Sequence, residues 1–381
     1  MHELINLLVQ WYYPALLVLA FYFIVLASMN VVDMRNHTAA PKCTGGPMVS
    51  VLIPMRNEEG NITNCIGSLI NQDYENYEIL VIDDNSTDGT PALLKRMARE
   101  HRRLRIFSGA PLPEDWYGKP FALQQLAAKA RGEIIMFTDA DTVHRPTSIS
   151  WTVTNMYNSD SDFISGYIGQ KFGSLGELIT VPLMYFLTGF LIPLFMNRHV
   201  EHGFFSSAVG QYIAVKRSVF ERIGGFSEIR KKTSEDMYLA RYVKKQGYKT
   251  MFLDAGDQVQ CRMYKGYRAA VEGIGKNIFD VLGKNTFLLC LIFAAVLFFL
   301  LLPFPLLLYA AYTANVHGGV LFLVNILYTA TWAILFLDRR IPWYCAFLWP
   351  LIFLNLLYIA WWSWFRTISG QGFVWKDRVV A

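Results

Sequence analysis

Apolar and polar residues alternate in short blocks through the middle of the chain. Short apolar runs have the length of buried strands, and they lie at residues 49–53, 77–82, 104–107 and 133–137. The segments between them carry apolar residues at helical spacing, which predicts helices near residues 62–69, 92–101 and 121–130. This alternation of strand and helix predicts an α/β domain with a mainly parallel sheet and helices on both faces.

Longer apolar stretches lie at the two ends of the chain. They lie near residues 11–31, 286–312, 319–337 and 342–364, and each is long enough to cross a bilayer, which takes about 20 residues. A hydrophobic content of 53% and an aromatic content of 15% also exclude an ordinary soluble enzyme. The predicted parts are an N-terminal transmembrane anchor (1–35), an α/β domain (48–265), a linking amphipathic segment (266–285), three transmembrane helices (286–365) and a tail (366–381).

The charges beside the first apolar stretch predict its orientation. It lacks the basic flank of a cleaved signal peptide, which favours a retained anchor. Arg35 and Lys42 follow it, so the positive-inside rule predicts a multi-pass protein of the inner membrane whose α/β domain is cytoplasmic. The five cysteines have no paired or metal-type spacing, as expected of reduced thiols. The net charge of +5 is modest, and we expect no nucleic-acid partner.

The C-terminal charges leave two topologies open. With three crossings after a cytoplasmic domain, the tail would end outside. Arg366, Lys376 and Arg378 instead favour the inside. Either one predicted segment does not cross, or the tail breaks the rule.

A further apolar segment at residues 178–196 is long enough to span a membrane. Pro182, Gly189 and Pro193 interrupt it, and a crossing there would separate the acids before it from those after it. We therefore predict a helix or a pair of short helices lying in the membrane interface, with Tyr185 and Phe186 among the candidates to face lipid. A buried core helix is the alternative.

Acidic residues follow two of the predicted strands. Asp83 and Asp84 come after the second, and Asp139 and Asp141 come after the fourth. Ligands of such sheets bind at the carboxyl ends of the strands, and two carboxylates one residue apart suit Mg²⁺ or Mn²⁺ together with phosphate oxygens. Lys119 would add positive charge near a diphosphate. The alternatives are an acidic turn that ends a strand and a solvated loop lysine.

These residues belong to ordered motifs that resemble those of family 2, GT-A-type inverting glycosyltransferases. The motifs are residues 49–59 (VSVLIPMRNEE), 81–90 (VIDDNSTDGT), 118–123 (GKPFAL), 138–141 (TDAD), 223–226 (IGGF) and 234–236 (SED). The resemblance covers roughly residues 48–265. It implies a Rossmann-like GT-A domain, a nucleotide-sugar donor, a divalent metal and transfer with inversion, and the terminal helices suggest an acceptor in the lipid bilayer.

The resemblance also implies roles for particular residues. The donor would be bound by residues of the first four motifs, namely Pro54, Arg56, Glu58, Asp83, Asp84, Lys119 and Asp139. Asp139 and Asp141 match the metal-binding D-x-D motif. Asp236, preceded by Glu235, would be the general base, with Ser234 where the family has threonine. Without the other motifs, Glu235 and Asp236 would be interpreted as acids that stabilise the N-terminus of a helix.

Two further regions match the family less closely. Gly210 and Gln211 resemble the loop that shapes the acceptor side, although the glycine pair at residues 224–225 is also a turn signal. Residues 258–264 (QVQCRMY) lack the tryptophan and the spacing of the Q-x-x-R-W motif of processive synthases. Arg262 could still reach the diphosphate as a catalytic residue, but the departure disfavours a polymerase.

Finer motifs resemble a membrane subgroup associated with carotenoid and hopanoid glycosylation. They are residues 112–123, 262–264, 273–277 (GIGKN) and 372–378 (GFVWKDR). The subgroup implies transfer of one hexose, glucose from UDP-glucose, to a hydroxyl or carboxylate of an isoprenoid lipid. The alternatives are a polyprenyl-phosphate glycosyltransferase, a polysaccharide synthase and a catalytically silent membrane scaffold.

Overall fold

The computed structural model describes residues 2–41, 43–375 and 378–380, with an α/β domain between helices from the two ends of the chain. The strands are β1 Val49–Met55, β2 Tyr77–Asp83, β3 Leu104–Ser108, β4 Ile134–Phe137, β5 Thr142–His144, β6 Phe163–Tyr167, β7 Gly169–Gln170, β8 Ile213–Lys216, β9 Thr250–Asp254, β10 Val259–Cys261, β11 Phe373–Trp375 and β12 Arg378–Val380. The helices are α1 His2–His37, α2 Ile62–Ile70, α3 Thr90–Glu100, α4 Gly118–Ala127, α5 Ser148–Asn158, α6 Leu175–Thr180, α7 Leu183–Tyr185, α8 Arg217–Arg222, α9 Glu235–Lys245, α10 Tyr267–Val281, α11 Thr286–Ala295, α12 Pro303–Thr313, α13 Gly318–Asp338 and α14 Trp349–Ile368. Short π-helices lie at Phe186–Phe190 and Val296–Leu301, and 3₁₀ turns lie at Leu194–Arg198, Gly203–Phe205, Ser227–Ile229 and Trp343–Leu348.

The central sheet has seven strands in the order β3-β2-β1-β4-β8-β6-β9. β1 pairs in parallel with β2 and β4, and β2 with β3. β8 runs antiparallel to β4 and β6, whereas β9 is parallel to β6. The predicted α/β class is confirmed, and the sheet is mixed because the short β8 runs against both of its neighbours.

Alternating side chains of the sheet enter two separate cores. In β1, Val49, Val51 and Ile53 are fully buried against α2 and α5, whereas Leu52 points to the opposite face. Leu52 packs there with Leu80 and with apolar residues of α4, α8 and α9. Because both faces are covered, the strands read as almost continuous apolar runs.

Among the residues that the structure describes, four helical segments are long and apolar enough to cross a membrane. They are Gln10–His37, Thr286–Thr313, Gly318–Asp338 and Trp343–Ile368. Side chains from these segments meet in one buried cluster that includes Phe23, Trp332 and Phe353. Many of their other apolar side chains are exposed, as expected of helices whose outer surface contacts lipid.

The segment from α6 to residue 198 is broken into short helices, but its aromatic residues face inward. Tyr185 and Phe186 are 1% and 4% exposed, so the prediction that they face lipid is wrong. The ring of Tyr185 packs against Tyr167 of β6, and Phe186 packs against Phe23 and Phe353. These rings fill the junction between the sheet and the apolar helices, which local sequence does not reveal.

The two ends of α14 contact different parts of the neighbouring helices. The indole nitrogen of Trp349 donates to Thr329 Oγ1, near the middle of α13, at 3.0 Å. Near the other end of α14, the indole nitrogen of Trp364 donates to Thr286 Oγ1 at 3.1 Å, where α11 begins. Ser363 also donates to the carbonyl of Gly275 in α10. The end of α14 therefore lies beside α10, which adjoins the α/β domain.

Candidate active site

A cleft of about 1690 Å³ opens at the carboxyl ends of β1, β2 and β4. It collects nearly all the predicted site residues, namely Pro54, Arg56, Glu58, Asp84, Lys119, Asp139, Asp141, Gly210, Gln211, Glu235, Asp236 and Arg262. Asp83 does not line it. The Asp83 carboxylate instead accepts a hydrogen bond from the backbone N–H of Ser86 at 3.1 Å and holds the turn after β2.

The turn after β2 interlocks with the loop after β1. Arg56 Nη1 donates to the carbonyl oxygens of Asp84 and Asn85, at 2.7 and 3.0 Å. The backbone N–H of Asp84 donates to the Met55 carbonyl at 2.8 Å. Asn57 and Asn85 adopt φ values of 50° and 57°, a left-handed conformation that asparagine tolerates better than most residues. Arg56 thus holds together the two loops that form this end of the cleft.

Asp139 and Glu235 both face the Lys119 ammonium at the start of α4. Lys119 Nζ lies 2.8 Å from Asp139 Oδ1 and 3.1 Å from Glu235 Oε1. Burial alone would lower the pKa of Lys119, but Asp139 and Glu235 raise it overall. The lysine therefore remains charged and joins the strand-end acids to the first turn of α9.

Asp141 has the arrangement expected of a cation ligand. Its Oδ1 is buried and has no hydrogen-bond partner among the described residues. Burial, followed by the charges of Asp139 and Glu58, raises its pKa to about 7. A divalent cation would supply the missing partner and favour the charged carboxylate.

The residues present fit a magnesium or manganese site that is completed by the substrate. Within the described part of the chain, no group of three or more His, Cys, Asp or Glu residues is arranged to hold a metal. Mg²⁺ is commonly held by one or two carboxylates plus substrate phosphates, so Asp139 and Asp141 suffice.

The Asp236 carboxylate is fixed at the N-terminus of α9. Its Oδ2 accepts from the backbone N–H of Gly210 and its Oδ1 from that of Met237, both at 2.8 Å. Burial, followed by the charge of Glu235, raises its pKa to about 6, although Lys119 opposes the shift. A Cβ atom on Gly210 would lie 3.0 Å from Lys119 Nζ and 3.3 Å from Asp236 Oδ2, so glycine allows this close approach.

A buried histidine that the sequence analysis did not single out braces the D-x-D turn. His144 Nε2 lies 3.0 Å from Thr138 Oγ1 and 3.3 Å from Thr142 Oγ1. Thr138 donates to the Gln211 carbonyl and Thr142 to the Asp139 carbonyl, at 2.9 and 2.7 Å. Burial lowers the pKa of His144 to about 3, so the ring is neutral. In the sequence, the position of His144 three residues after Asp141 is the one signal of this role.

Arg262 lines the cleft, but its guanidinium is paired with Glu177 of α6. Its Nη2 and Nε lie 2.8 and 3.1 Å from the two carboxylate oxygens. Glu177, whose side chain is 1% exposed, also accepts from the backbone N–H groups of Gly173 and Gly266, both at 2.7 Å. These bonds lower the pKa of Glu177, so the carboxylate is charged. Sequence reasoning did not identify Glu177. In this structure its carboxylate holds the Arg262 guanidinium in place.

The far end of the cleft is apolar and lies between the membrane-type helices. One wall comes from α1, including Leu19 and Phe23, and the other from Thr286–Thr313, including Ile292 and Leu300. Leu356 and Leu357 of α14 also line this end. The same cleft therefore joins the acidic residues to an apolar groove.

Comparison with known proteins identifies the domain. Residues 50–224 match the family described as Glycosyl transferase family 2. The chain is 27% identical over 213 residues to the probable glycosyltransferase YdaM of Bacillus subtilis (strain 168), covering 55% of this chain and 49% of that protein. It is 40% identical over 117 residues to the beta-monoglucosyldiacylglycerol synthase of Nostoc sp. (strain PCC 7120), covering 30% of this chain and 25% of that protein. The chain thus spans about half or less of the length of these two relatives.

A solved structure has the same fold over nearly the whole chain. It is the mannosyltransferase PcManGT from Pyrobaculum calidifontis, determined with GDP-Man and Mn²⁺. It is 20% identical with a TM-score of 0.57, and the match covers 93% of this chain and 98% of that one. Residues 50–224 therefore match a glycosyl transferase family 2 domain, an enzyme domain, and the chain has the GT-A fold.

Proposed function

We propose that this protein is a metal-dependent inverting glycosyltransferase that moves one hexose from a nucleotide sugar to a lipid of the membrane in which it is embedded. One observation carries the proposal: a single cleft runs from the acids at the strand ends to an apolar groove between membrane-type helices. A water-soluble acceptor would have no use for that groove.

The polar end of the cleft suits the donor. Asp84, braced by Arg56, would accept hydrogen bonds from the nucleoside, and the loop from Pro54 to Glu58 would surround the base. The Lys119 ammonium lies between Asp139 and Glu235, and it would add positive charge near the diphosphate. When bound at Asp139 and Asp141, Mg²⁺ or Mn²⁺ would neutralise charge on the diphosphate.

Asp236 would take the proton from the acceptor hydroxyl. Its carboxylate is fixed by two backbone N–H groups, and burial brings its pKa nearer to neutrality than that of an ordinary aspartate. A base of raised pKa transfers protons more effectively at physiological pH. Gly210 and Gln211 would border the acceptor because Gly210 binds this carboxylate directly.

The apolar groove has the length of a lipid chain in one leaflet. Its wall runs from Leu289 to Leu300, which is ~17 Å at the helical rise. That is about half of the ~30 Å hydrocarbon core of a bilayer. The name of the Nostoc relative supports glucose and a lipid acceptor. We propose UDP-glucose as the donor and an isoprenoid such as a carotenoid as the acceptor; the alternatives are a polyprenyl-phosphate glycosyltransferase and a polysaccharide synthase.

We infer that α1, Thr286–Thr313 and Gly318–Asp338 cross the membrane, whereas Trp343–Ile368 enters it and returns. Arg35 at the end of α1 bonds Asp338, so these two ends lie together, and Arg339 pairs with Asp254 of the α/β domain. The end of α14 then lies on this same side, beside Thr286 and α10. In this topology Arg366 would lie inside and obey the positive-inside rule.

Reporter fusions test this topology. A reporter active only in the cytoplasm should work when fused after Arg340 and after Ala381 but not after Val316, because of these three fusion points only the one near Val316 lies outside. An Ala381 fusion that works only outside the cytoplasm would show that the last segment crosses.

A panel of labelled nucleotide sugars tests the function. Membranes containing the protein should transfer label from UDP-glucose to lipids that organic solvent extracts, and mass spectrometry should find one added hexose. Matched membranes with the Asp141→Ala protein should incorporate none above background. Label that enters only a polymer insoluble in solvent would favour the polysaccharide synthase. Label that stays in the donor with every sugar would favour the silent scaffold.

A further inference from the structure

Arg241 of α9 lines the cleft and lacks, among the described residues, the carboxylate partner that Arg262 and Arg339 have. Arg262 is held by Glu177, and Arg339 is held by Asp254. By contrast, the Nε–H of Arg241 is buried and has no hydrogen-bond partner in the described part of the chain. Buried polar groups are almost always hydrogen-bonded, so an unpaired guanidinium N–H in a cleft indicates a ligand.

Arg241 lies on the face of α9 that turns toward the membrane-type helices. It follows Asp236 by five residues, which is ~7.5 Å along the axis of α9. It is four residues after Met237 and so shares a helix face with it. Met237 packs against the buried cluster of the membrane-type helices, which orients this face of α9 toward the bilayer side of the cleft.

A second unpaired group lines the cleft from α10. Asn277 Oδ1 is buried and has no hydrogen-bond partner among the described residues. Ile274 and Ile278, on either side of it in α10, also line the cleft and pack against the apolar cluster. Among the described residues that line the cleft, Arg241 therefore offers an unpaired donor and Asn277 an unpaired acceptor.

We infer that Arg241 forms an anion subsite for the acceptor, where it binds a phosphate or carboxylate carried by the lipid. Asn277 Oδ1 would accept a hydrogen bond from a hydroxyl of the same head group. This inference rests on the proposed function and narrows its acceptor to an anionic lipid.

The charges of the cleft explain why such a subsite is needed. Glu235 and Asp236 also line the cleft, and their negative charges repel an approaching anion. Arg241 supplies a countercharge on the bilayer side of these acids. A guanidinium is also the side chain best suited to paired hydrogen bonds with carboxylate or phosphate oxygens.

Binding of a matched pair of isoprenoids tests the subsite. The full chain in detergent is titrated with farnesyl phosphate, with farnesol and with inorganic phosphate. The wild type should bind farnesyl phosphate at least tenfold more tightly than farnesol. Arg241→Gln should reduce that preference to less than twofold while farnesol binding stays unchanged, and Arg241→Lys should restore part of it. Arg222→Gln, which changes an exposed arginine of α8 outside the cleft, should behave as the wild type.

Three results would overturn the inference. These are equal binding of the two isoprenoids by the wild type, an undiminished preference in Arg241→Gln, and inorganic phosphate that binds as tightly as farnesyl phosphate. The last result would mean that the site recognises free phosphate rather than a lipid. Metal-dependent hydrolysis of UDP-sugars, measured in the same preparations, tests the proposed function separately. Absence of hydrolysis in the wild type would count against the proposed glycosyltransferase activity. The isoprenoid titrations would still test the anion subsite.

Discussion

Asp141→Ala is expected to remove the metal dependence of donor binding and to lower turnover on the order of a thousandfold. A metal ion contributes several kcal/mol of charge stabilisation in such reactions, and each 1.36 kcal/mol corresponds to about a factor of ten. Asp141 is the acid whose buried Oδ1 has no partner among the described residues, whereas Asp139 already binds Lys119. Loss of Asp141 therefore removes the carboxylate that is most dependent on a cation.

Calorimetric titration of the nucleotide, with and without Mn²⁺, measures this effect apart from turnover. The wild type should bind UDP more tightly with Mn²⁺, and the Asp141→Ala protein should bind it equally with and without the ion. Asp141→Asn, which keeps the shape of the side chain, should behave like the alanine variant. Asp160→Asn is the matched control because Asp160 lies outside the cleft and pairs with Lys249. A manganese effect that persists in both Asp141 variants would remove Asp141 from the metal site.

The elements of the α/β domain were predictable because their signals are local. Both faces of β1, β2 and β4 are covered, so these strands are continuous apolar runs, and the helices between them repeat apolar residues at helical spacing. Parallel neighbours bring strand ends to one edge of the sheet. The predicted acids after β2 and β4 therefore lie together, except that Asp83 turns away to hold its own loop.

The features that the sequence did not reveal depend on contacts between distant segments. Glu177 and Arg262 are 85 residues apart, and neither neighbourhood signals the other. Arg262 was expected near a diphosphate, and only the folded chain brings it to a buried carboxylate. The inward direction of Tyr185 and Phe186 likewise depends on aromatic partners in β6, α1 and α14.

The lengths of the candidate membrane spans were predictable from the sequence, but the direction of the last one was not. Hydropathy identifies stretches that can cross, and it cannot distinguish a helix that crosses from one that returns. The charges of the tail raised the question, and the hydrogen bonds of Trp349 and Trp364 bear on it, because they place one end of α14 beside the middle of α13 and the other beside the start of α11.

Asp236→Asn is expected to keep donor binding and lose transfer. Removal of a general base costs 10² to 10⁴ in rate. Asparagine retains an oxygen that can accept from Gly210, so the loop that borders the acceptor should keep its position. We therefore expect UDP binding within twofold of the wild type and a fall in sugar transfer of at least a hundredfold, measured by label in extracted lipid.

The pH dependence of transfer separates a base from a structural carboxylate. Asp236 acts in its charged form, and its pKa is raised to about 6, so the rate at saturating donor, metal and acceptor should fall about tenfold per pH unit below that value and level off above it. The residual rate of Asp236→Asn should lack this limb, and Asp236→Glu should restore part of it. An acceptor oxygen that is already ionised would need no base. A loss of less than tenfold in Asp236→Asn, with the acidic limb retained, would therefore mean that the lipid attacks through its anionic group and that Asp236 only orients it.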